Sequence, residues 1–450
     1  MSEHKIKDLT VGNPLKLIIE FSIPIFFGML FQQFYSVMDT VIVGQTLGVE
    51  ALAAVGATGS LTFLIIGFCN GIASGFAIPV AQRFGAKDEK GLKLAIANSV
   101  YLGIALSVVI TMFVTSLCRT ILEFLNTPAD IMEASHSYLF VIFAGIPVTF
   151  FYNLFSGFMR SMGDSKTPVL FLIFASVMNI VLDYVFIVGL KTGVEGAAYA
   201  TVISQLFAAL LSALYMLKKY EVVKMSHYER RKDMQCMMQL LYMGIPMGMQ
   251  YSITAIGAVV LQTAVNGLGS NAVAATTTGC KIACFFLVLF DALGSTMATY
   301  SGQNMGAKRL DRVSKGLLIA CAIGMIYSVF ASIFLALFGD RFALLFMEAS
   351  ETEIIANVSV YLKVESGFYI LLTLVNCIRF TIQGMGFSLL AVIAGVMEMV
   401  ARVIVAFALV PAFGFVGACL ASPIAWVLAD AFLIPAFFHV RKKMQIRFEG

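Results

Sequence analysis

Long apolar stretches recur along the whole chain, and they constrain the fold more than any other feature. A helix needs about 20 mostly apolar residues to cross a bilayer core, and stretches of that length follow one another from the N-terminal region to the C-terminal tail. Hydrophobic residues make up 60% of the 450 residues and charged residues only 12%, whereas a soluble domain carries roughly a quarter charged residues. We therefore predict an all-α integral membrane protein.

Apolar runs between charged or Gly- and Pro-rich breaks predict twelve transmembrane helices. Their bounds are about 15–44, 51–82, 91–118, 133–160, 167–189, 195–217, 234–265, 272–303, 313–338, 354–383, 388–410 and 417–440. The first run is too long for a signal peptide and contains Asp39, so we expect it to be retained as a helix.

The distribution of Lys and Arg predicts the orientation in the membrane. With a cytoplasmic N-terminus, most of the 30 basic residues fall in the terminal segments and in the loops after even-numbered helices. The opposite face has only Arg119, Lys191 and Arg341. Because cytoplasmic loops are enriched in basic residues, we predict a multi-pass protein with both termini cytoplasmic. The sequence has no basic run with interleaved aromatic residues, so we expect no nucleic-acid partner.

An internal repeat relates the two halves of the chain. The segment SGFAIPVAQRFGAK ends at Lys87 and aligns with STMATYSGQNMGAK, which ends at Lys308. In the same order, LGVEALAA aligns with LGSNAVAA and GVEGAAYA with GFVGACLA. Tyr138 aligns with Tyr361 in this series. Such an ordered series of matches predicts a duplication.

The duplication predicts the domain organisation. The chain divides into an N-terminal six-helix bundle at 1–217, a cytoplasmic linker loop at 218–233 and a C-terminal six-helix bundle at 234–450. Because each bundle has an even number of helices, both enter the membrane from the same side. Two such repeats are related by a pseudo-two-fold axis along the membrane normal.

Two acidic residues lie inside predicted helices of the first half, where ionisable groups are costly and point to function. Asp183 has Asn179 one helical turn before it, and the following helix adds Thr201. Together with Asp39 these side chains could form an oxygen cage for Na⁺ or a pair of carboxyl groups that holds a proton. Alternatively, the two acids merely join their helices by hydrogen bonds.

The repeat aligns Glu398 and Arg402 of the second half with Asn179 and Asp183. Their helical i,i+4 spacing predicts an ion pair, which is either structural or broken during a conformational cycle. The unpaired acids are therefore expected only in the first half.

Other ionisable side chains of the second half fall within predicted helices. Lys281 and Glu365 are expected to lie deep, where they could contact a substrate. We expect Arg379 and Asp430 to snorkel to the membrane surface or to join helices.

The order and spacing of several motifs resemble the multidrug and toxin extrusion (MATE) family over the full length of the chain. These motifs are FQQFYSVMDTVIVGQTLGVEALAAVG at 31–56, QRFGAK at 82–87 and MRSMGDSKTP at 159–168, together with Asn179, Asp183 and Thr201. The resemblance implies export of amphipathic, often cationic, organic compounds by a bacterial cell-membrane protein, in exchange for Na⁺ or H⁺ and without a cofactor. We expect it to act as a monomer.

The resemblance also implies a site. Its cation-binding residues are Asp39, Asn179, Asp183 and Thr201, with the side chains of Gln32, Tyr35 and Asn153 nearby. One branch of the family carries further acids in the seventh and tenth helices. Thr254, Leu371 and Leu372 occupy those places here, which shifts the expected coupling to Asp39 and Asp183.

Two alternative functions remain open from the residues. A flippase for lipids or lipid-linked sugars would use cationic residues such as Lys281, Arg379 and Arg402 to bind phosphates. A membrane-embedded enzyme is less favoured, because the chain has no HExxH, Gly-x-Ser-x-Gly or DDxxD-type motif. We therefore predict a transporter.

Overall fold

The computed structural model describes residues 7–125, 127–224 and 231–449, and within these ranges the chain is helical and has no β-strand. Ten of the helices are long and apolar enough to cross a membrane. Two further pairs of bent helices satisfy the same requirement when each pair is taken as one span, which gives twelve spans. The prediction of an all-α membrane protein is confirmed.

The helices of the first half are α1 (Pro14–Leu47), α2 (Val49–Gly85), α3 (Glu89–Phe124), α4 (Met132–Ala144), α5 (Ile146–Ser161), α6 (Lys166–Asp183), the π-helix π1 (Tyr184–Gly189) and α7 (Val194–Lys219). Those of the second half are α8 (Met234–Asn266), α9 (Ser270–Gly306), α10 (Leu310–Ala343), α11 (Thr352–Ser366), α12 (Tyr369–Gly384), α13 (Ser388–Ile404), the π-helix π2 (Val405–Leu409), α14 (Val410–Cys419) and α15 (Ala421–Glu449).

The chain forms two compact units. Unit 1 contains residues 7–8 and the described residues of 27–248, and unit 2 contains residues 9–26 and 249–449. The boundaries of the units lie inside α1 and α8, whereas the sequence repeat divides the chain at the loop 218–233. Each compact unit thus includes part of one helix from the other sequence half.

Two predicted spans are broken in the middle. The fourth span consists of α4 and α5, which meet at 44°, and the tenth consists of α11 and α12, which meet at 49°. Pro147 at the start of α5 has no backbone N–H to continue the ladder of α4. Gly145 lies at the bend, and a Cβ there would come within 2.4 Å of the Val202 side chain on α7.

The ends of the eleventh and twelfth predicted spans also needed correction. The eleventh passes through π2 and continues to Cys419, with a non-helical residue at Gly414. The last helix begins at Ala421 rather than near 417 and runs to Glu449. A positive φ of 58° at Gly414 is a conformation that glycine adopts without steric cost, and this kink lies inside the predicted gap at 411–416.

The repeat is visible in the backbone as well as in the sequence. Lys87 and Lys308, which end the two aligned segments, both adopt a left-handed conformation, with φ of 56° and 58°. The aligned glycines Gly48 and Gly269 have φ of 86° and 97°. Few non-glycine residues adopt a positive φ, so these shared turns are strong evidence that both halves follow one chain path.

The first of these turns leads into a capped helix. Asp88 precedes α3, and its side chain accepts a hydrogen bond from the backbone N–H of Gly91. Asp88 also pairs with Arg83 at 2.7 Å. The backbone hydrogen bond from Gly91 has the larger effect and the Arg83 contact the smaller. Both hold the pKa of the Asp88 carboxyl below its usual value, because both favour its charged form.

Within unit 1 the backbones of α2 and α8 approach closely at glycines. A Cβ built on Gly71 would lie 2.5 Å from the carbonyl oxygen of Met247, and one on Gly75 would lie 2.5 Å from Gly244 Cα. Small residues allow such close helix packing inside membranes. No side-chain adjustment can relieve these overlaps, because the atoms in the way belong to the backbone.

We predict that Gly71→Ala destabilises the protein by about 1–3 kcal/mol, the usual cost of overpacking. Gly59→Ala on the same helix is the matched control, since nothing lies within 4 Å of its Cβ position. There alanine should stabilise the helix by roughly 0.5–1 kcal/mol. Thermal unfolding in detergent measures both effects. Equal midpoints for the two variants would contradict the packing described here.

Candidate cation site

The four residues predicted to bind a cation come from three helices of unit 1. Asp39 lies on α1, Asn179 and Asp183 on α6, and Thr201 on α7. Asp183 is fully buried and Asn179 is 1% exposed, while Asp39 and Thr201 are half-buried. Asp183 is the last residue of α6 and directly precedes π1. Such π turns within α-helices are frequent at functional sites.

The structure brings these side chains together in two contacts. The carboxyl groups of Asp39 and Asp183 are hydrogen-bonding neighbours, and the Asn179 Nδ2 donates to Thr201 Oγ1 at 3.4 Å. Several buried oxygens of the site lack any other hydrogen-bond partner. They are one carboxyl oxygen of Asp39, the amide oxygen of Asn179 and both carboxyl oxygens of Asp183. Two carboxylates can lie in contact only when a proton or another cation is held with them.

In the described part of unit 1, no buried basic side chain neutralises this pair. Among the described residues of unit 1, no Lys or Arg is buried. Unpaired carboxylates are costly in a low-dielectric interior. The described part of unit 1 therefore provides no buried basic side chain to balance the charge of the two carboxyl groups.

Gln32, Tyr35 and Asn153 occupy different places around the pair. Tyr35 is half-buried and lies close enough to Asp39 and Asp183 for electrostatic interaction. Gln32 is exposed. Asn153 on α5 instead donates from Nδ2 to the Asn70 Oδ1 on α2 at 2.9 Å, so it joins two helices and is not a direct ligand of the pair.

The same inter-helix hydrogen bond recurs in unit 2 with a charge added. Asn376 on α12 donates from Nδ2 to the Asp291 Oδ1 on α9 at 3.3 Å. Asn376 is the repeat partner of Asn153, and Asp291 occupies the place of Asn70. The duplicated fold thus keeps the contact and replaces an amide by a carboxylate.

No group of three or more His, Cys, Asp or Glu side chains in the described part of the chain could hold a metal ion. The unit 1 site has only two carboxyl groups, supplemented by an amide and a hydroxyl. This donor set suits a proton or a monovalent hard cation better than a tightly bound divalent metal.

Comparison with known proteins identifies the family. The MatE family model matches the chain twice, over residues 24–185 and 246–408. This chain belongs to the MatE family. It is therefore a multidrug efflux-type MATE transporter and not an enzyme, and the two separate matches agree with the duplication.

Relatives and solved structures support this assignment. A probable multidrug resistance protein, YoeA, of Bacillus subtilis is 30% identical over 75% of this chain and 74% of its own length. A FAD transporter of Shewanella oneidensis is 23% identical over 78% of this chain and 77% of its own. A multidrug resistance MATE transporter of the MOP superfamily, solved in an outward-facing conformation, has a TM-score of 0.89 and 25% identity over the full length of both chains.

The second-half residues predicted for this MATE transporter lie in unit 2. Glu365 on α11 is 5% exposed, and its carboxylate accepts hydrogen bonds from Tyr361 and Ser422. Lys281 on α9 is exposed, next to Cys280, whose thiol contacts the Tyr361 hydroxyl at 3.0 Å. Glu365 is therefore enclosed within unit 2, whereas Lys281 is not.

Glu398 forms the expected ion pair and also has a second basic partner. Arg402 lies 3.7 Å from the Glu398 Oε2, in agreement with the i,i+4 prediction. A closer contact comes from Arg379 on α12, whose Nη2 donates to the Glu398 Oε1. Arg379 is 6% exposed and Asp430 is 5% exposed, so neither side chain snorkels, and Arg379 instead joins α12 to α13, the second of the two expectations. Neither side chain reaches the surface, because α12 and α15 lie against α13.

Tyr138 is a site residue that the sequence reasoning missed. It lies on α4, is 9% exposed and interacts electrostatically with both Asp39 and Asp183. Its repeat partner Tyr361 donates to Glu365 in unit 2. The alignment of these two tyrosines was therefore a usable signal: the duplication retained a phenol beside a buried acid in each half.

We predict that Arg379→Met destabilises the protein by about 3–5 kcal/mol, because it leaves the buried Glu398 with only the longer contact to Arg402. The double variant Arg379→Met/Glu398→Met removes both charges and should recover most of this loss. Thermal unfolding in detergent compares the two. A double variant as unstable as the single one would show that Arg379 acts through packing instead of charge.

Proposed function

We propose that this MATE transporter is a secondary active antiporter that exports amphipathic, often cationic, organic compounds in exchange for Na⁺ or H⁺. Export proceeds by alternating access between the two membrane faces. The protein acts as a monomer in the bacterial cell membrane, with both termini cytoplasmic. The basic residues concentrated on one side of the predicted topology support this orientation.

The observation that carries the proposal is the contact between Asp39 and Asp183. The two carboxyl groups are hydrogen-bonding neighbours from different helices, and no buried Lys or Arg in the described part of unit 1 balances them. An ion that enters from outside can neutralise the pair and hold α1 against α6. When it leaves, two like charges remain in contact and favour separation of these helices.

This arrangement supplies the free-energy difference that coupling requires. An ion drives a conformational change only to the extent that it binds the two conformations unequally. Asp183 lies at the junction of α6 and π1, where the backbone hydrogen-bond pattern changes. The ion therefore binds tightly while α1 and α6 are close and weakly once they separate.

The substrate class follows from charge and from the relatives. The described part of unit 1 contains the acids Asp39 and Asp183 but no buried Lys or Arg. This charge distribution favours a cationic or neutral cargo over an anionic one. The Bacillus relative is named as a multidrug resistance protein, which agrees with this preference. The Shewanella relative is named as a FAD transporter, so flavin nucleotides are the appropriate anionic comparison in transport assays.

We expect Asp39→Asn and Asp183→Asn each to abolish ion-driven export, because one carboxylate with a neutral amide no longer requires a cation. Uptake of a fluorescent lipophilic cation into inverted proteoliposomes, under an imposed Na⁺ gradient and separately under a pH gradient, measures the effect. The gradient that drives transport by the unchanged protein identifies the ion. Transport by the two variants should fall to that of protein-free liposomes.

Asp130→Asn is the matched control, since Asp130 is an exposed acid of the same half. It should transport as the unchanged protein does. Uphill export by Asp39→Asn at the normal rate would refute the site. Failure of the unchanged, folded protein under both gradients would instead favour a lipid or lipid-sugar flippase, which can be tested with labelled lipids.

The two candidate ions predict different behaviour for Thr201→Val. A hydroxyl ligand contributes about 1 kcal/mol, so with Na⁺ the concentration for half-maximal export should rise about fivefold. A proton held by two carboxyl groups needs no hydroxyl, so with H⁺ the pH dependence should not change. Thr201→Ser retains the hydroxyl and is the control. Na⁺-driven export with an unaltered Na⁺ dependence would exclude Thr201 from the site.

A further inference from the structure

Unit 2 contains buried ionisable side chains that take no part in the candidate cation site of unit 1. Its ion cluster consists of Glu365, Arg379, Glu398 and Asp430, which are buried, and Arg402, whose side chain is 12% exposed; the neighbouring Asp291 is exposed. The three buried acids outnumber the two guanidinium groups. Because charges inside a membrane protein must be neutralised, not all of these carboxyl groups can be paired with a protein cation.

The partners of three acids are visible. Glu398 is held by Arg379 and, at 3.7 Å, by Arg402. Glu365 accepts hydrogen bonds from Tyr361 and Ser422 and interacts with Arg402. Asp291 accepts a hydrogen bond from Asn376. Each of these carboxyl groups thus has at least one hydrogen-bond donor.

Asp430 differs from them. It is 5% exposed, and neither of its oxygens has a hydrogen-bond partner in the structure. Arg379 is the cation near it, but the Nη2 of Arg379 is engaged by Glu398 and its Nε has no partner. The Nε of Arg379 is thus a donor without an acceptor, and the carboxyl group of Asp430 is an acceptor without a donor. Both belong to the same buried cluster.

The elements around Asp430 offer no other charge balance. The helix that carries it, α15, packs against α10, α12, α13 and α14. The ionisable groups that these helices direct at the cluster are Arg379, Tyr369 and the Cys377 thiol from α12, Glu398 and Arg402 from α13, and the Cys321 thiol from α10. In α14 the ionisable residue is Cys419, which interacts with Glu365.

These surroundings favour a proton over a metal ion as the ligand of Asp430. A metal ion needs several oxygen ligands at once, and the described residues place no group of three or more His, Cys, Asp or Glu side chains around a common point. A neighbouring guanidinium group also repels a metal cation. A proton needs only the carboxyl group itself.

We propose that Asp430 is a proton-binding site of unit 2, and that its protonation state decides whether Arg379 pairs with Glu398 alone or also with Asp430. With Asp430 neutral, Arg379 on α12 is held towards α13, as in this structure. When Asp430 releases its proton to water, the carboxylate attracts the free Nε of Arg379 towards α15. The proposal rests on the transporter function but not on the unit 1 carboxyl pair.

Infrared difference spectroscopy between acidic and alkaline buffer tests the site on purified, full-length protein without any gradient. A protonated carboxyl group gives a C=O stretching band that shifts in D₂O. We expect one such band to be lost in Asp430→Asn and retained in Asp39→Asn. Asp340→Asn, which alters an exposed acid of the same unit, should leave the spectrum unchanged. An unaltered spectrum in Asp430→Asn would overturn the proposal.

Glu398→Gln tests the exchange of Arg379 without altering Asp430. Removing the charge of Glu398 frees Arg379 for Asp430, so the Asp430 band should disappear although the residue is present. Persistence of the band would overturn the exchange. Neither spectroscopic measurement depends on transport. Failure of gradient-driven export would therefore leave the Asp430 proposal standing. Successful export without an Asp430 band would refute the Asp430 proposal and leave the antiport proposal standing.

Discussion

A carboxyl group that is enclosed among apolar helices must be neutralised by something, and this requirement organises both units of the transporter. Water cannot solvate the charge, and an unpaired buried charge is costly. In unit 1 the charges of Asp39 and Asp183 have no buried basic residue to balance them in the described chain. In unit 2 the guanidinium groups of Arg379 and Arg402 are held by Glu398. The acids of unit 1 thus lack a buried basic partner in the described chain, whereas those of unit 2 are balanced largely by its own side chains.

The duplication makes this difference interpretable. Asn179 and Asp183 of the first half correspond to Glu398 and Arg402 of the second, and Asn70 corresponds to Asp291. The backbone turns are preserved between the halves, down to the left-handed lysines Lys87 and Lys308. The chain path has therefore been conserved while the ionisable groups have diverged. A shared scaffold with different charges is what allows two halves of one protein to take different roles.

Much of this architecture could be read from the sequence, because membrane helices follow from local composition. Apolar length predicted the twelve spans, and the repeat predicted the paired turns. Asp39 and Asp183 stood out because acids are rare in such runs. The bend between α11 and α12 gave no comparable signal, since glycine at 367 is common in membrane helices. The sequence also left two possibilities for Arg379, snorkelling or joining helices, because whether a long side chain reaches the surface depends on the helices that cover it.

The π turn after Asp183 has a mechanical consequence. A π turn contains one residue more than an α turn, so the helix carries a local surplus of chain between α6 and the residues beyond it. If that surplus moves along the helix by one position, the residue it passes rotates by about 100° around the axis, the angle between neighbouring residues in an α-helix. Asp183 borders the surplus directly. Its carboxyl group can thus swing away from α1 by a change of helical register that breaks few backbone hydrogen bonds and needs no unfolding. The corresponding π segment in the second half, Val405–Leu409, begins three residues beyond Arg402.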